Sequence, residues 1–408
     1  MVSRDVRRNL RLLAWFNFLL DFRLYAPIVI IYFERITHSY TLAMSVLGIA
    51  MLASALFEIP TGIFSDRIGR RYTVIVGAVA SLASVTCYAL GGSYAMLLVG
   101  AIFEGLARSL FSGNNDALLY DTLTELDQRQ EYANHLGRVS SAYQVALAIS
   151  AVLGGLLATI SFALVMWLSV VPKVLMLALS FRFLEPKVHI EKATNVFAHL
   201  RAALHNIVKN RRLRMLSIGE IIGFSFGEAD FLFRTVFIES LWPLWAIGMA
   251  RTISNVTAAM SFYFAARLHR RFGERRILFM GIALSNLTNI ASILWASVLS
   301  PALMGATSIF YGVNTVAMNS MKQREFTDAQ RSTMGSLTAF GGSLLFAVVS
   351  TLLGWLADQI GVRWALLVST SLSMVPLIFY WLAFRQRGTD APQERDAAAL
   401  PHTKIAQQ

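Results

Sequence analysis

The sequence predicts an all-α polytopic membrane protein with twelve transmembrane helices in two pseudo-symmetric six-helix bundles. Three observations lead to this fold class. Hydrophobic residues make up 56% of the 408-residue chain, charged residues only 15%, and the mean hydropathy is +0.55, a balance far from that of soluble globular proteins. Apolar runs of about 20 residues, the length that crosses a hydrocarbon core of about 30 Å, follow one another along the chain. A charged turn also recurs at half the chain length.

The apolar runs divide the chain into twelve segments joined mostly by short loops, which make successive helices antiparallel neighbours. The predicted spans are 10–33, 41–63, 72–91, 94–118, 134–159 and 161–183 in the first half, then 213–237, 242–265, 276–297, 300–321, 332–356 and 362–384. We therefore expect four regions. They are an N-terminal bundle (1–184), a cytoplasmic linker with an amphipathic helix (185–212), a C-terminal bundle (213–385) and a disordered cytoplasmic tail (386–408).

The basic residues predict the orientation, because Lys and Arg collect in loops that stay in the cytoplasm. With both termini inside, 29 of the 36 Lys and Arg residues fall in cytoplasmic segments. These residues face the anionic leaflet, which accounts for the net charge of +12 without a nucleic-acid partner. The first apolar segment is too long for a cleavable signal peptide, so we expect it to stay attached. A bacterial cytoplasmic (inner) membrane is the predicted location.

A charged turn joins the second and third spans and reads Gly62-Ile-Phe-Ser-Asp66-Arg67-Ile-Gly69-Arg70-Arg71. Glycine at position 62 lets two helices approach closely, and Gly69 can adopt the positive φ of a tight turn. A second copy 204 residues later keeps Gly273 but has Ala266 and Arg270 where the first copy has glycine and aspartate. We therefore expect the two halves to be functionally unequal.

Twelve spans in two halves, inside termini, a basic central loop and this turn together resemble the major facilitator superfamily of secondary transporters over residues 9–385. The loop signature of that family, G-x-x-x-D-R-x-G-R-R, is matched without a gap by Gly62, Asp66, Arg67, Gly69, Arg70 and Arg71. The resemblance implies a cytoplasmic gate in which Asp66 reaches the start of the eleventh span near Ser332 in the outward-open state. Asp116 or Asp121 is then the partner of Arg70. The alternative is a loop that only stabilises the fold and supplies positive charge.

Charged side chains inside the spans are the candidates for transport and proton coupling, because such groups persist in a bilayer mainly when they are paired or face an aqueous cavity. They are Asp21, Arg23, Glu104, Arg108, Lys173, Glu228, Asp230 and Arg251. The first and fourth helices face each other in the family, which implies that the first four of these residues share a central cavity. The alternative is a set of static ion pairs, Asp21 with Arg108 or Glu104 with Arg23, that lock helices together.

The sequence predicts no metal site, no cofactor and no enzyme. All seven histidines lie outside the spans or at their edges, and the single cysteine, Cys87, lies within the third span, so neither an intramembrane metal site nor a disulfide framework is expected. No glycine-rich nucleotide-binding loop with lysine occurs in the sequence. A gradient must therefore supply the energy.

The resemblance implies a monomer in the lipid bilayer that moves a small solute by alternating access around a midplane site, with protons as the expected coupling ion. The first interpretation is a drug or metabolite exporter. The alternative is an importer or exchanger of an anionic or zwitterionic metabolite, motivated by Arg23, Arg108, Lys173 and Arg251 inside the spans. A more remote alternative is a membrane sensor that moves no solute.

Overall fold

The computed structural model describes residues 6–187, 207, 209–323 and 331–385, without the side chains of 133, 323 and 331–334. The described residues form helices joined by short loops, and no strand occurs among them. Most of the predicted linker helix and the whole predicted tail at 386–408 lie outside the described residues.

Helices occupy all twelve predicted spans, and four of those spans are each built from two helices. The first half contains α1 (Arg8–Asp21), α2 (Val29–Thr37), α3 (Tyr40–Ile68), α4 (Arg70–Leu90), α5 (Tyr94–Phe111), α6 (Asn114–Glu125), α7 (Tyr132–Ala158) and α8 (Phe162–Ser180). The second half contains α9 (Arg211–Glu239), α10 (Leu244–Phe272), α11 (Glu274–Leu294), α12 (Ser300–Ala306), α13 (Tyr311–Gln323), α14 (Arg331–Ile360), α15 (Val362–Leu372) and α16 (Pro376–Arg385).

Within the described part of the chain, eight helical stretches are long and apolar enough to cross a membrane. They correspond to the second to sixth, ninth, eleventh and twelfth predicted spans. Of the other four spans, the first and tenth are interrupted, and the seventh and eighth are the 29-residue helices α9 and α10. These two helices carry several charged residues, which lower their hydropathy.

The four composite spans differ from the predicted single helices, and each break has a local cause. The first span is not helical between Asp21 and Val29, where Pro27 lacks a backbone N–H and restricts the residue before it. Gly113, with φ of 68°, separates α5 from α6. A short 3₁₀ turn at Thr307–Phe310 interrupts the tenth span, and Pro376 begins α16 in the twelfth.

Serine, asparagine and glycine define many of the helix ends. Ser39, Ser93, Ser161 and Asn210 each accept a hydrogen bond from the backbone N–H three residues on, as N-cap residues do. Glycines with positive φ occupy tight turns between consecutive helices. Gly69 and Gly273 (φ 101° and 78°) lie at the end of the bundle that is predicted to be cytoplasmic, here called the basic end. Gly361 (φ 84°) lies at the opposite end.

The two halves are joined along α3 and α14 toward the opposite end. A Cβ on Gly48 would lie 2.9 Å from Ser350 Oγ and 3.0 Å from Ala347 Cα, and Gly354 lies directly against the backbone of Tyr40. Small residues permit this close approach of two helices. A second crossing joins α7 to α10, where a Cβ on Gly155 would lie 3.0 Å from the Trp245 carbonyl oxygen.

Among the described residues, the halves are separate at the basic end. The hydrophobic cluster that contains Phe33 and Phe346 includes residues of both halves, whereas two further clusters toward the basic end each contain residues of one half only. A Cβ on Gly62, Gly137 or Gly335 would meet no other part of the described chain within 4 Å. The described part of the structure is therefore closed at the opposite end and open at the basic end.

Candidate functional site

The break in the first span exposes backbone carbonyls to a buried ammonium group. Lys173 on α8 is 2% exposed, and its Nζ donates to the carbonyl oxygens of Leu20 at 2.5 Å and Leu19 at 3.3 Å. The last carbonyls of a helix have no partner inside the helix and carry a partial negative charge. Lys173 therefore supplies the missing donor and fixes the end of α1 against α8.

Asp21 and Arg23 form an ion pair at the same break. Arg23 Nη2 lies 3.0 Å from Asp21 Oδ1, and Arg23 Nε donates to the Leu20 carbonyl at 3.3 Å. The Arg23 side chain is 24% exposed and the Asp21 side chain is 13% exposed. The non-helical backbone after Asp21 allows residues two positions apart to face each other, which a continuous helix does not.

Glu104 and Arg108 form a second ion pair, one turn apart on α5. Arg108 Nε and Nη2 both donate to Glu104 Oε1, at 3.0 and 2.7 Å. The hydroxyl of Tyr88 on α4 donates to Glu104 Oε2 at 2.8 Å. Glu104 is 13% exposed, whereas the Arg108 side chain is 40% exposed and its Nη1 lies 3.9 Å from Met51 Sδ.

The ion pairs of the alternative interpretation, Asp21 with Arg108 and Glu104 with Arg23, do not form in this structure. Each carboxylate instead pairs with the arginine that follows it in its own segment, so neither ion pair locks two helices together. Electrostatic interactions still connect the groups, since Arg23 interacts with Glu104, and Lys173 interacts with Arg23 and both carboxylates. The four charges that the resemblance placed together, Asp21, Arg23, Glu104 and Arg108, are thus neighbours, and Lys173 joins them as a third cation.

A cavity of about 360 Å³ lies beside these charges within the first half. Its lining includes Arg23, Glu104, Arg108 and Lys173, together with Asn17, Tyr25, Ser81, Ser84, Phe111, Ser112, Asn115 and Asp116. Ser84 Oγ and Asn115 Oδ1 are buried and have no hydrogen-bond partner among the described residues. The cavity therefore offers both charged and uncommitted polar groups to a solute. Isolated serines and asparagines in apolar spans gave no sequence signal for this role.

The second-half candidates separate into two groups. Arg251 lies 4.1 Å from the ring centroid of Phe231, with its Nη2 3.3 Å from Thr235 Oγ1. Glu228 interacts electrostatically with Arg251 and with Arg108 of the first half. Asp230 is different because it is 1% exposed and accepts a hydrogen bond from Ser369 on α15 at 2.5 Å. Asp230 thus contributes to packing within the second half.

The charged turn at the basic end is held together within the first half. Arg70 lies 3.1 Å from Asp66 and 3.4 Å from Asp121. Asp116, the other predicted partner of Arg70, lines the cavity instead. Asp66 and Arg67 are exposed, and the space beside Gly62 is open, so the close helix approach expected at this glycine is absent in this state. The side chain of Ser332 lies outside the described residues.

Glu185 is a member of this turn that the sequence interpretation missed. Its carboxylate oxygens accept hydrogen bonds from the backbone N–H groups of Arg70 and Arg71, each at 2.7 Å. It therefore caps the start of α4, where the free N–H groups favour an anion. A Cβ on Gly69 would lie 2.7 Å from Glu185 Oε1, so the glycine is needed for this contact as well as for its φ.

Comparison with known proteins agrees with this architecture. The sequence profile of the Major Facilitator Superfamily matches residues 12–321 and 215–406. The inner membrane transport protein YajR of Escherichia coli (strain K12) is 30% identical over 108 residues, which cover 26% of this chain and only 22% of YajR.

Two solved structures share the fold over nearly the whole chain. A bacterial homologue of the human lysosomal transporter Spinster, in an inward-facing and unoccupied conformation, has a TM-score of 0.75 at 15% identity and covers 94% of this chain and 97% of its own. The nucleoside transporter NupG has a TM-score of 0.74 at 12% identity, with coverage of 93% and 99%. At such identities the likeness concerns the fold alone.

Proposed function

This chain belongs to the Major Facilitator Superfamily, and from that membership we propose that it is a proton-coupled transporter of a small anionic or zwitterionic solute. The family makes the chain a multi-pass integral membrane protein and a secondary transporter, not an enzyme. The inner-membrane location of the relative YajR and the basic loops support a cytoplasmic membrane with both termini inside. The basic end is then the cytoplasmic end.

The observation that carries the proposed substrate class is the state of Arg108. Its guanidinium gives two hydrogen bonds to a single oxygen of Glu104, and the side chain remains 40% exposed. A carboxylate or phosphate can approach the exposed edge and form the paired hydrogen bonds that arginine favours.

Proton coupling follows from competition for Arg108. When a solute oxyanion binds the Arg108 guanidinium in place of Glu104, the hydrogen bond from Tyr88 is the contact that Glu104 keeps. A buried carboxylate without its counter-ion is unfavourable by several kcal/mol, and protonation of Glu104 removes that penalty. Solute and proton then bind together and cross in the same direction. Asp116, which lines the cavity, can accept hydrogen bonds from the amine of a zwitterionic solute.

The lining of the cavity supports this class over a lipophilic drug. Apolar and aromatic surface dominates typical sites for drug-sized ligands, whereas this cavity exposes polar and apolar surface in comparable amounts and has only two aromatic residues in its lining, Tyr25 and Phe111. The exporter interpretation therefore receives less support than the alternative that was motivated by the deep arginines.

The first experiment identifies a ligand. Purified protein is screened for thermal stabilisation with carboxylates, phosphates, amino acids and organic cations, because a ligand of the folded state raises stability by mass action. We expect carboxylates or phosphates to stabilise the wild type, and Arg108→Lys to lose most of this effect because lysine lacks the paired donors. Stabilisation by organic cations alone would contradict the substrate class.

The second experiment tests coupling in proteoliposomes loaded with that ligand. Glu104→Gln is permanently neutral, so we expect it to keep solute exchange but to lose accumulation driven by a pH gradient, with a fall of at least about tenfold. The control is Glu131→Gln, which neutralises an exposed carboxylate outside the cavity. Accumulation by Glu104→Gln at the control level would exclude Glu104 as the proton site.

A further inference from the structure

A carboxylate of the second half caps a helix of the first half at the opposite end. Asp358, near the end of α14, accepts four hydrogen bonds from the first residues of α3. Ser39 Oγ and Thr41 Oγ1 donate to its Oδ2 at 2.7 and 2.6 Å, the Tyr40 N–H donates to Oδ1 at 2.8 Å, and the Thr41 N–H donates to Oδ2 at 3.0 Å. All the donors belong to one half and the acceptor belongs to the other.

This contact is strong for its position at the protein surface. The start of α3 has free N–H groups and a partial positive charge, and hydrogen bonds to an ionised acceptor are about twice as strong as neutral ones. Gly354, one turn before Asp358, allows the approach because a Cβ there would overlap the Tyr40 backbone. Among the described residues, the other polar contact between the halves at this end is a single ion pair, Arg35 with Glu239, at 3.5 Å, with side chains 52% and 29% exposed.

The sequence around Asp358 repeats the spacing of the charged turn. Gly354, Asp358, Gly361 and Arg363 follow one another at the same intervals as Gly62, Asp66, Gly69 and Arg71. Both turn glycines have positive φ. Arg363 donates to the carbonyls of Ile293 and Leu294 at 3.0 and 2.6 Å, and Arg71 donates to the carbonyl of Phe181 at 3.3 Å. The same arrangement of helix glycine, aspartate, turn glycine and arginine thus lies at both ends of the α3–α14 pair.

The two copies are in different states. Asp358 bonds to the other half, and the two helices pack tightly beside it. Asp66 is 39% exposed, pairs with Arg70 of its own turn, and lies near an open space at Gly62. The engaged copy is at the closed end of the protein, and the disengaged copy is at the open end.

We propose that Asp358 is the residue that locks the opposite end shut, and that its four hydrogen bonds to α3 must break before the cavity opens at that end. Asp358 thus sets the balance between the two open states of the transporter. It does so far from the charged cluster and makes no contact with the solute.

Distances between spin labels test this lock on the full chain without any ligand. In a Cys87→Ser background, one pair of labels is placed at the opposite end (Ala95→Cys and Ala296→Cys) and another at the basic end (Gln130→Cys and Ala266→Cys), all at exposed positions. Asp358→Asn keeps the shape but loses the charge and half of the acceptor capacity. We expect the ratio of opposite-end-open to opposite-end-closed molecules to rise about tenfold, as loss of a helix cap implies.

Glu239→Gln is the matched control, because it removes another carboxylate from the same end but only one exposed ion pair, and we expect a change of at most about twofold. Thr41→Val removes one donor and leaves Asp358 intact, so an intermediate rise is expected even if Asp358→Asn folds poorly. Distance distributions of Asp358→Asn and Thr41→Val that match the wild type would overturn the lock.

Discussion

Lys173 is buried because its partners are backbone atoms. Its sequence position after Pro172 predicted a functional cation deep in the membrane, and the structure places it on the carbonyls of Leu19 and Leu20. Those carbonyls are available only because α1 ends inside the bundle. The charge therefore stabilises a broken helix in addition to contributing to the cationic side of the cavity.

Replacement of this lysine by methionine should destabilise the protein. Lys173→Met keeps a long apolar side chain but leaves the two carbonyls without a donor, and hydrogen bonds to charged groups contribute about 1.5–3 kcal/mol each. We expect a fall of several degrees in the melting temperature of the detergent-solubilised protein. Lys187→Met, at an exposed position, is the control and should melt like the wild type. An unchanged melting temperature for Lys173→Met would show that the ammonium is dispensable.

The ion pairs show which residue contacts sequence reasoning can find. Glu104 and Arg108 are four residues apart, a spacing that favours pairing on one helix, so this pair was open to prediction. The pair of Asp21 and Arg23 was not, because it requires the break after Asp21. Glu185 was also beyond sequence reasoning, since its contact with the start of α4 joins positions more than 100 residues apart.

At the scale of elements, one glycine allows α7 to pack closely against the broken segment of the first span. A Cβ on Gly154 would overlap the carbonyl group of Leu24. The turn glycine at Gly69 was readable from the sequence. The interruption at Pro27 was not recognised, since the surrounding residues are apolar enough to extend the span on either side.

Two glycine-to-alanine substitutions in α7 distinguish the effect of this packing on stability from the effect of helix propensity. Gly154→Ala should destabilise the protein by about 1–3 kcal/mol, the usual penalty of overpacking. Gly137→Ala lies in the same helix with open space around it and should be neutral or stabilising, because alanine is the better helix former. Thermal unfolding of the two variants measures the difference. Equal stabilities would mean that α7 shifts to accept the extra methyl group.

At the scale of the whole molecule, the open basic end predicts how a larger side chain at Gly62 affects transport. In this state a larger side chain at Gly62 has space, but closure of the basic end brings α3 toward the second half. Gly62→Leu should therefore keep ligand binding, measured by thermal stabilisation, and reduce flux in proteoliposomes by at least about tenfold. Ile63→Leu is the control, because Ile63 is an exposed neighbour of Gly62 and leucine is similar in size to isoleucine. Wild-type flux in Gly62→Leu would show that the helices do not approach at this position.

The sequence by itself determined the fold class, the positions of the helices and the grouping of deep charges in the first half. Apolar runs and basic loops are local properties, and burial of charge in a membrane is restricted enough to mark a cavity. Only the tertiary structure decided which charges pair, that the first span is broken, and which end of the molecule is closed. Contacts such as Asp358 with the start of α3 join residues more than 300 positions apart, and they depend on how two bundles rest against each other, which no local pattern specifies.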